Sequence, residues 1–312
     1  MGTRPVILGI VGPTASGKSA LALRLAARWN AEIVSADSRQ IYRHLDIGTA
    51  KPPRSDLQRI PHHFIDILEP DEDYSAGAYG RAARKIINDV IRAGRRVILV
   101  GGSGLYVKAV VDGLFDGPSR DPGLRAQLEE EARERGADGL YERLCRLDPE
   151  AASTMDSSKV RRVIRALEVH AITGRPISEL HAAQNSAAPF GVRQIGLRWT
   201  RKELYRRINE RVEWMLDAGL LDEVRRLQTM GFDPTLNSLN TVGYREAFAH
   251  LAGKLTREEM VAAIQQNTRR FAKRQLTWFR ADRRIVWKDV HSEEEITLVA
   301  DGLAAEFANP NG

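Results

Sequence analysis

The chain has 312 residues, 43% of them hydrophobic and 28% charged, and a formal net charge of +6. This composition is typical of a globular protein with one large domain or a core plus a smaller domain, and it excludes a largely disordered chain. The longest apolar stretches, such as residues 97–100, are far shorter than the roughly 20 residues that span a bilayer. The single cysteine, Cys145, excludes intramolecular disulfides and a cysteine-based zinc site. We expect a cytoplasmic protein, because no signal-like apolar stretch opens the chain.

The predicted elements begin with a strand and then a helix. Residues 6–11 form a continuous apolar run that predicts a buried strand, and residues 19–29 have the apolar spacing of a helix. The same criteria predict further strands at residues 33–36, 64–68 and 97–100 and a helix at residues 78–91. Short apolar strands that alternate with helices are typical of a mostly parallel sheet covered on both faces. The predicted fold class is therefore α/β, with a three-layer core.

The second half of the chain begins with a change in composition. Residues 123–174 are rich in Ala, Arg, Glu and Leu at helical spacing, which predicts a helical insertion. A strand-like run at residues 195–199, followed by a long amphipathic helix, returns the chain to the core. We predict a catalytic core formed by residues 1–120 and 190–312 and a helical insertion domain at residues 121–189.

A phosphate-binding motif follows the first predicted strand. The sequence GPTASGKS fits all eight positions of a P-loop, and it stands between a predicted strand and a predicted helix, as that motif requires. In such a loop the backbone N–H groups face an anion, Lys18 adds a positive charge, and the Ser19 hydroxyl can ligate Mg²⁺. The candidate phosphate-binding residues are Gly12, Pro13, Thr14, Ala15, Ser16, Gly17, Lys18 and Ser19. ATPases, GTPases and kinases share this motif, so it does not identify the reaction.

The position of the acidic residues separates this chain from common nucleotide hydrolases. Those enzymes hold Mg²⁺ with an acid after an apolar strand, but the strand at residues 97–100 is followed by Gly-Gly-Ser. The strand at residues 33–36 is followed by Asp37, which should reach the sheet edge where open α/β proteins bind ligands. Asp37 is therefore the leading functional carboxylate, with a turn or helix-capping role as the alternative. Asp66 is a weaker candidate for the same position.

Four motifs taken together resemble the tRNA dimethylallyltransferase family. They are GPTASGKS at 12–19, SADSRQIY at 35–42, DIGTAKP at 46–52 and VGGSGLY at 100–106. Later segments similar to that family are RALE at 165–168, TGRP at 173–176, VGYRE at 242–246 and KRQLTWFR at 273–280. The family commonly has Thr where Ser103 stands, which keeps the hydroxyl. Eukaryotic members carry a C-terminal zinc finger that a chain with one cysteine cannot build, so this chain resembles the bacterial members.

The resemblance implies a prenyltransferase with a P-loop NTPase-like core. Members of the family transfer a dimethylallyl group from dimethylallyl diphosphate to N6 of the adenosine just 3′ of the anticodon in tRNA, and they release pyrophosphate. The P-loop would then hold, with Mg²⁺, the pyrophosphate of the donor in place of ATP, which accounts for the missing acid after residues 97–100. The implied partners are tRNA and dimethylallyl diphosphate, without a membrane. We expect a monomer, because the sequence shows no heptad seam.

The resemblance also implies roles for individual residues. Asp37 is expected to take the proton from N6, Ser103 to assist by contacting the nucleotide, and Lys18 to stabilise the departing pyrophosphate. Arg274 or a neighbouring basic residue is expected to close on the same phosphate. The implied tRNA contacts are Asp37, Ser38, Arg39, Gln40, Ser103, Arg125, Arg161, Arg162, Val163, Ile164, Arg165, Thr241, Val242, Gly243, Tyr244, Arg245 and Glu246.

An arginine cluster in the predicted insertion gives separate support for RNA binding. Arg161, Arg162 and Arg165 fall within about one helical turn and can present a compact positive face to phosphates. A solvated helix face is the alternative interpretation of these charges.

Three other functions stay open at this stage. A prenyltransferase acting on free adenosine phosphates would not need the helical block at residues 121–189. A P-loop kinase of small molecules would bind and turn over ATP. A non-enzymatic nucleotide switch or RNA-binding module would not transfer a prenyl group at all.

Overall fold

A computed structural model of the chain describes residues 4–114, 117–118, 121–183 and 187–307. The chain divides into two compact units, of which the larger comprises Met1–Val111 and Ala188–Gly312 and the smaller Asp112–Ala187. The sequence predicted 121–189 for the insertion. Within the described ranges, no helix combines the length and apolar character that crossing a membrane requires.

A six-stranded sheet forms the centre of the larger unit. Its strands are β1 (Val6–Val11), β2 (Glu32–Ser35), β3 (His62–His63), β4 (Val97–Gly101), β5 (Gly191–Arg198) and β6 (Ile285–Asp289). They lie in the order β3-β2-β4-β1-β5-β6, and each of these neighbouring pairs is parallel. The carboxyl ends of all six strands therefore meet at one edge, with the end of β1 between those of β4 and β5.

Helices cover both faces of this sheet. In the larger unit the helices are α1 (Lys18–Trp29), α2 (Arg54–Arg59), α3 (Ala76–Arg92), α4 (Gly104–Val111), α9 (Arg201–Asp217), α10 (Leu220–Thr229), α11 (Tyr244–Leu251), α12 (Arg257–Arg280) and α13 (Glu293–Glu306). The smaller unit contains α5 (Pro122–Leu147), α6 (Pro149–Ser153), α7 (Val160–Thr173) and α8 (Ile177–Ala183). Alternate residues of β1 enter two separate cores: Ile7 and Val11 enter one, and Leu8 and Ile10 the other. This arrangement confirms the predicted three-layer α/β class.

The smaller unit is helical and has its own apolar core. Helices α5 to α8 surround residues that include Leu128, Leu140 and Leu167. Gly136 adopts φ 76° inside α5 and kinks it, a conformation that suits glycine because it has no Cβ.

One predicted strand is wrong, and one strand was missed. The third strand is the two-residue β3 at His62–His63 and not residues 64–68. Phe64 and Asp66 adopt φ of 64° and 54°, in the left-handed region, which no continuing strand can use. Strand β6 escaped prediction because it lies at the sheet edge, where Val286 is 46% exposed and the apolar run is broken.

Candidate active site

The P-loop is preformed between β1 and α1. Its backbone turns through three positive φ angles, 136° at Gly12, 61° at Ala15 and 90° at Gly17. A left-handed alanine is unusual and persists only where the surrounding structure holds it. The fully buried Ser16 contributes by donating its hydroxyl to the Pro13 carbonyl at 2.9 Å.

This loop lines a cleft of ≈ 340 Å³ at the carboxyl edge of the sheet. The cleft is lined by Ala15, Ser16, Gly17, Lys18, Ser19, Ala20, Ala50, Arg207, Glu210, Arg211 and Glu293. Burial, and then the proximity of Arg211, lowers the pKa of Lys18 to about 7. The buried amine, a second cation and the N-terminus of α1 lie together at this cleft. All three would attract an anion.

Two arginines of α9 support the P-loop from the side. Arg207 Nε donates to the Ala15 carbonyl at 2.8 Å, and its guanidinium lies 4.2 Å from the ring centroid of Trp199. The Trp199 indole donates to the Ser16 carbonyl at 3.0 Å. Arg211 Nη1 lies 3.4 Å from Thr14 Oγ1, and burial lowers the pKa of Arg211.

Neither arginine was predicted to be functional. The apolar spacing of α9 indicates only an amphipathic helix that returns the chain to the core. The available signal was the spacing of Arg207 and Arg211, which stand four residues apart and therefore share a helix face.

Arg274, predicted to close on the phosphate, lies exposed on α12 with its guanidinium 5.7 Å from the Phe271 ring centroid. The next residue, Gln275, makes the contact between α12 and the P-loop. Its Oε1 accepts the Thr14 N–H at 2.8 Å, and its Nε2 donates to the Gly102 carbonyl at 2.9 Å. The cationic side chains around the cleft are Lys18, Arg207 and Arg211, so the role expected of Arg274 stays a prediction.

Asp37 and Ser103 come together at the same sheet edge. Asp37 follows β2, and its Oδ1 accepts the Arg39 N–H at 2.9 Å. Ser103 follows β4, and its Oγ accepts the Ser38 N–H at 3.0 Å, so the two loops are joined. Burial has the largest effect on the pKa values of Lys18 and Arg211 and lowers both. The negative charge of Asp37 opposes this and raises each pKa by a smaller amount. The predicted carboxylate and hydroxyl therefore lie at the same sheet edge as the phosphate loop, and the charge of Asp37 acts on Lys18.

Two of the predicted RNA contacts beside Asp37 are engaged within the protein. Arg39 Nη1 donates to the Asn237 carbonyl at 2.7 Å. The Gln40 amide donates to the carbonyls of Thr49 and Ala50, each at 3.2 Å. These bonds hold the loop after β2 in place.

The segment 241–246 divides between the interior and the surface. Tyr244 is fully buried and donates its hydroxyl to Glu223 at 2.6 Å. Glu246 is 4% exposed and accepts the Gly243 N–H at 2.8 Å. Arg245 is exposed, and Thr241 and Val242 are half-buried. The contacts with RNA expected of all six residues stay a prediction.

The predicted positive face of the smaller unit is narrower than expected. Arg161 and Arg162 are exposed, whereas the helical period turns Val163 and Ile164 into the core. Arg165 Nη1 donates to the fully buried Glu168 at 2.8 Å. Arg125 also lies close to that carboxylate, with its Nη1 at 3.9 Å, and Arg125 is therefore partly neutralised as well.

The alternative carboxylate, Asp66, is engaged elsewhere. Its side chain contacts the ammonium of Lys51, which is 3% exposed, so Asp66 stabilises the loop that contains Lys51. In the part of the chain that the structure describes, no group of three or more His, Cys, Asp or Glu side chains could hold a metal ion.

Comparisons with known proteins identify the family of the chain. A family model described as IPP transferase matches residues 40–282. The tRNA dimethylallyltransferase 1 of Pelobacter propionicus is 50% identical over 301 residues, covering 96% of this chain and 97% of that protein. The tRNA dimethylallyltransferase of Geobacter metallireducens is 46% identical over 91% of this chain and 92% of its own.

Solved structures give the same result. The full-length tRNA isopentenylpyrophosphate transferase of Bacillus halodurans is similar with a TM-score of 0.70 and 38% identity, covering 97% of this chain and 96% of that one. A eukaryotic dimethylallyltransferase acting on tRNA gives a TM-score of 0.75 at 27% identity, covering 91% of this chain and 74% of that one. The resemblance drawn from the motifs is confirmed, and the chain belongs to the IPP transferase family, that of the tRNA dimethylallyltransferases.

Proposed function

We propose that this protein transfers a dimethylallyl group from dimethylallyl diphosphate to N6 of the adenosine 3′ to the anticodon in tRNA. The observation that carries the proposal is the bond from the Ser38 N–H to the Ser103 hydroxyl, which joins the loop of Asp37 to the loop of Ser103 at the sheet edge where the cationic P-loop cleft lies. Relatives named for this reaction cover nearly the whole chain.

In the proposed reaction the lone pair of N6 forms a bond to the first carbon of the dimethylallyl group. The bond between that carbon and the pyrophosphate oxygen breaks, and the electron pair leaves with pyrophosphate. The proton lost by N6 passes to the Asp37 carboxylate, the general base. Ser103 supports this step by fixing the turn that contains Asp37, since its hydroxyl holds the Ser38 N–H.

The P-loop stabilises the leaving group. Negative charge grows on pyrophosphate as the carbon–oxygen bond breaks, and preorganised donors lower the energy of that state most effectively in a water-poor site. Lys18 and Arg211 supply the positive charge, and Arg207 holds the Ala15 carbonyl so that the loop keeps its shape.

A magnesium ion at this site would need ligands from both the protein and the substrate. The Ser19 hydroxyl lines the cleft at the start of α1, and the described residues provide no acidic cluster to hold an ion independently. Mg²⁺ is commonly held by few protein ligands together with phosphate oxygens. We propose that Ser19 binds such an ion, which would neutralise pyrophosphate charge.

The tRNA must present its target base unstacked, because N6 lies inside the anticodon-loop stack. Arg161 and Arg162 are the exposed cations of α7 and are proposed to contact tRNA phosphates. The insertion is thus proposed to bind tRNA, and the protein to act as a cytoplasmic monomer.

A transfer assay tests the proposal. Labelled dimethylallyl diphosphate and Mg²⁺ are incubated with the protein and, in parallel, with bacterial tRNA, AMP or ATP. We expect label in tRNA alone. Label in AMP would favour an enzyme of free adenosine phosphates, and consumption of ATP without label transfer would favour a kinase.

A further inference from the structure

Gln275 uses both ends of its amide to join two loops of the site. Its Oε1 accepts the Thr14 N–H in the P-loop, and its Nε2 donates to the Gly102 carbonyl beside Ser103. Gln275 is 8% exposed; its bond to Gly102 is buried, and its bond to Thr14 is partly buried. One residue therefore connects the loop proposed to hold pyrophosphate with the loop that supports Asp37.

The glycines on either side of Ser103 show how closely α12 packs on this loop. A Cβ added at Gly102 would lie 2.5 Å from Gln275 Nε2, and one added at Gly104 would overlap the Trp278 indole. Gln275 and Trp278 stand three residues apart on α12 and therefore lie on one face. Ser103 is held between two contacts from the same helix, and larger residues at either glycine would break them.

We propose that Gln275 is a positioning residue that sets the separation between the bound pyrophosphate and the Asp37 carboxylate. It acts through the P-loop and the loop of Ser103, without touching either substrate. The N–H of Thr14 is bonded to Gln275 and so forms part of the joint between the two loops. The proposal rests on the proposed transfer reaction.

The physical basis is the steep dependence of rate on alignment. Reacting atoms must be held close and in line, and a displacement of about 1 Å far from the chemistry can cost roughly 100-fold in rate. We expect substrate binding to be less sensitive, because the side-chain hydrogen bonds of Gln275 go to Thr14 and Gly102. Neither bond involves the cations around the cleft, Lys18, Arg207 and Arg211. Loss of Gln275 should therefore lower the rate of transfer and leave the affinity for substrates nearly unchanged.

The test compares Gln275→Ala with the wild type under single-turnover conditions. We expect the rate of label transfer to tRNA to fall roughly 10- to 100-fold. The Kd values for inorganic pyrophosphate and tRNA should each change by less than about threefold. Thr277→Ala is the matched control, because Thr277 is exposed on the same helix and donates only to the Lys273 carbonyl of its own turn.

Two further variants make the result specific. Gln275→Glu keeps an acceptor for the Thr14 N–H but places an oxygen against the Gly102 carbonyl. This variant should therefore also transfer label more slowly than the wild type. It provides the test if Gln275→Ala does not fold. In a Ser103→Ala background, Gln275→Ala should cost much less than in the wild type, because the two residues act on the same loop.

Two outcomes would overturn the proposal. One is a Gln275→Glu rate equal to that of the wild type. The other is a loss of pyrophosphate affinity equal to the loss of rate, which would make Gln275 a structural support of the P-loop alone. Wild-type transfer to tRNA, measured in the same series, distinguishes either outcome from a failure of the proposed function.

Discussion

Asp37 combines a turn-forming role with the proposed role of base, and a single substitution separates the two. Its Oδ1 accepts the Arg39 N–H, a bond that asparagine can keep. Asp37→Asn should therefore preserve the turn and slow transfer from bound substrates by about 100-fold or more. Single-turnover label transfer measures this rate. An unchanged rate would mean that another group takes the proton, and the Kd for pyrophosphate serves as the control for binding.

Lys18 should take up a proton when pyrophosphate binds. Burial, followed by Arg211, lowers the pKa of its amine to about 7, so at about pH 8 the amine is mostly neutral. A bound anion favours the charged form and raises this pKa, so binding consumes protons above pH 7, and affinity should weaken as the pH rises. Calorimetry at about pH 8 in two buffers of different ionisation enthalpy counts the protons.

The matched control for this measurement is Lys18→Gln, which removes the amine but keeps a polar side chain. Pyrophosphate itself titrates in this range, so the informative quantity is the difference between the two proteins. We expect the variant to take up fewer protons, by up to about one per site. An equal proton count in both proteins would rule out Lys18 as the acceptor.

Among the secondary-structure elements, α10 fixes the loop of residues 46–52 through one buried side chain. Glu223 is 1% exposed and accepts the backbone N–H groups of Asp46, Ile47 and Gly48 at 3.0, 2.8 and 3.1 Å. Tyr244 adds its hydroxyl at 2.6 Å, and its ring fills the space over Gly48. The DIGTAKP and VGYRE motifs therefore meet at a structural joint.

Removing Glu223 should destabilise the fold far more than removing one of its partners. Glu223→Ala leaves three backbone donors and a phenol without an acceptor, and we expect a loss of about 3 kcal/mol in the free energy of unfolding. Tyr244→Phe removes one hydrogen bond and should cost about 1 kcal/mol. Urea denaturation measures both. A smaller loss for Glu223→Ala than for Tyr244→Phe would contradict this view of the joint.

Elements with strong local patterns were predictable from the sequence. Strands β1 and β4 are uninterrupted apolar runs buried on both faces, and α1 has a regular apolar stripe. The segment after β3 was mispredicted because its apolar residues suggest a strand while its backbone turns at Phe64 and Asp66. Such turns depend on tertiary contacts, here the pairing of Asp66 with Lys51, which no local pattern reveals.

For the whole molecule, the net charge of +6 does not show where RNA binds, because some of the cations are paired with carboxylates. Arg165 is bonded to Glu168, whereas Arg161 and Arg162 are exposed. We expect the double variant Arg161→Ala, Arg162→Ala to weaken tRNA binding and to reduce the slope of log Kd against log salt by about 1 to 2. Filter binding at several salt concentrations measures the slope.

The control for this prediction is the rate at saturating tRNA, which should stay within about twofold of the wild type because neither arginine takes part in the proposed chemistry. An unchanged salt slope would assign both arginines to a solvated helix face.

The site itself was predictable where its residues are neighbours in sequence. The P-loop and Asp37 each follow a strand directly, so strand prediction located both at the carboxyl edge of the sheet. Arg211 and Gln275 reach the P-loop from helices that begin far along the chain, and only the packing of α9 and α12 shows which of their polar residues face inward. The family resemblance implies Arg274 as the phosphate contact on α12, and it gave no indication that the side chain of Gln275 bonds to the P-loop.

The joint made by Gln275 has a consequence for synthesis on the ribosome. The P-loop is translated early, but α12 emerges near the end of the larger unit, and at roughly 5–20 residues per second Gln275 follows Ser19 by about ten to fifty seconds. During that interval the nascent chain has its phosphate-binding sequence but lacks the side chain that joins it to Ser103. A message truncated before codon 275 would therefore yield a chain without this joint, and on the proposal above such a product could not transfer prenyl groups efficiently even if its P-loop folded.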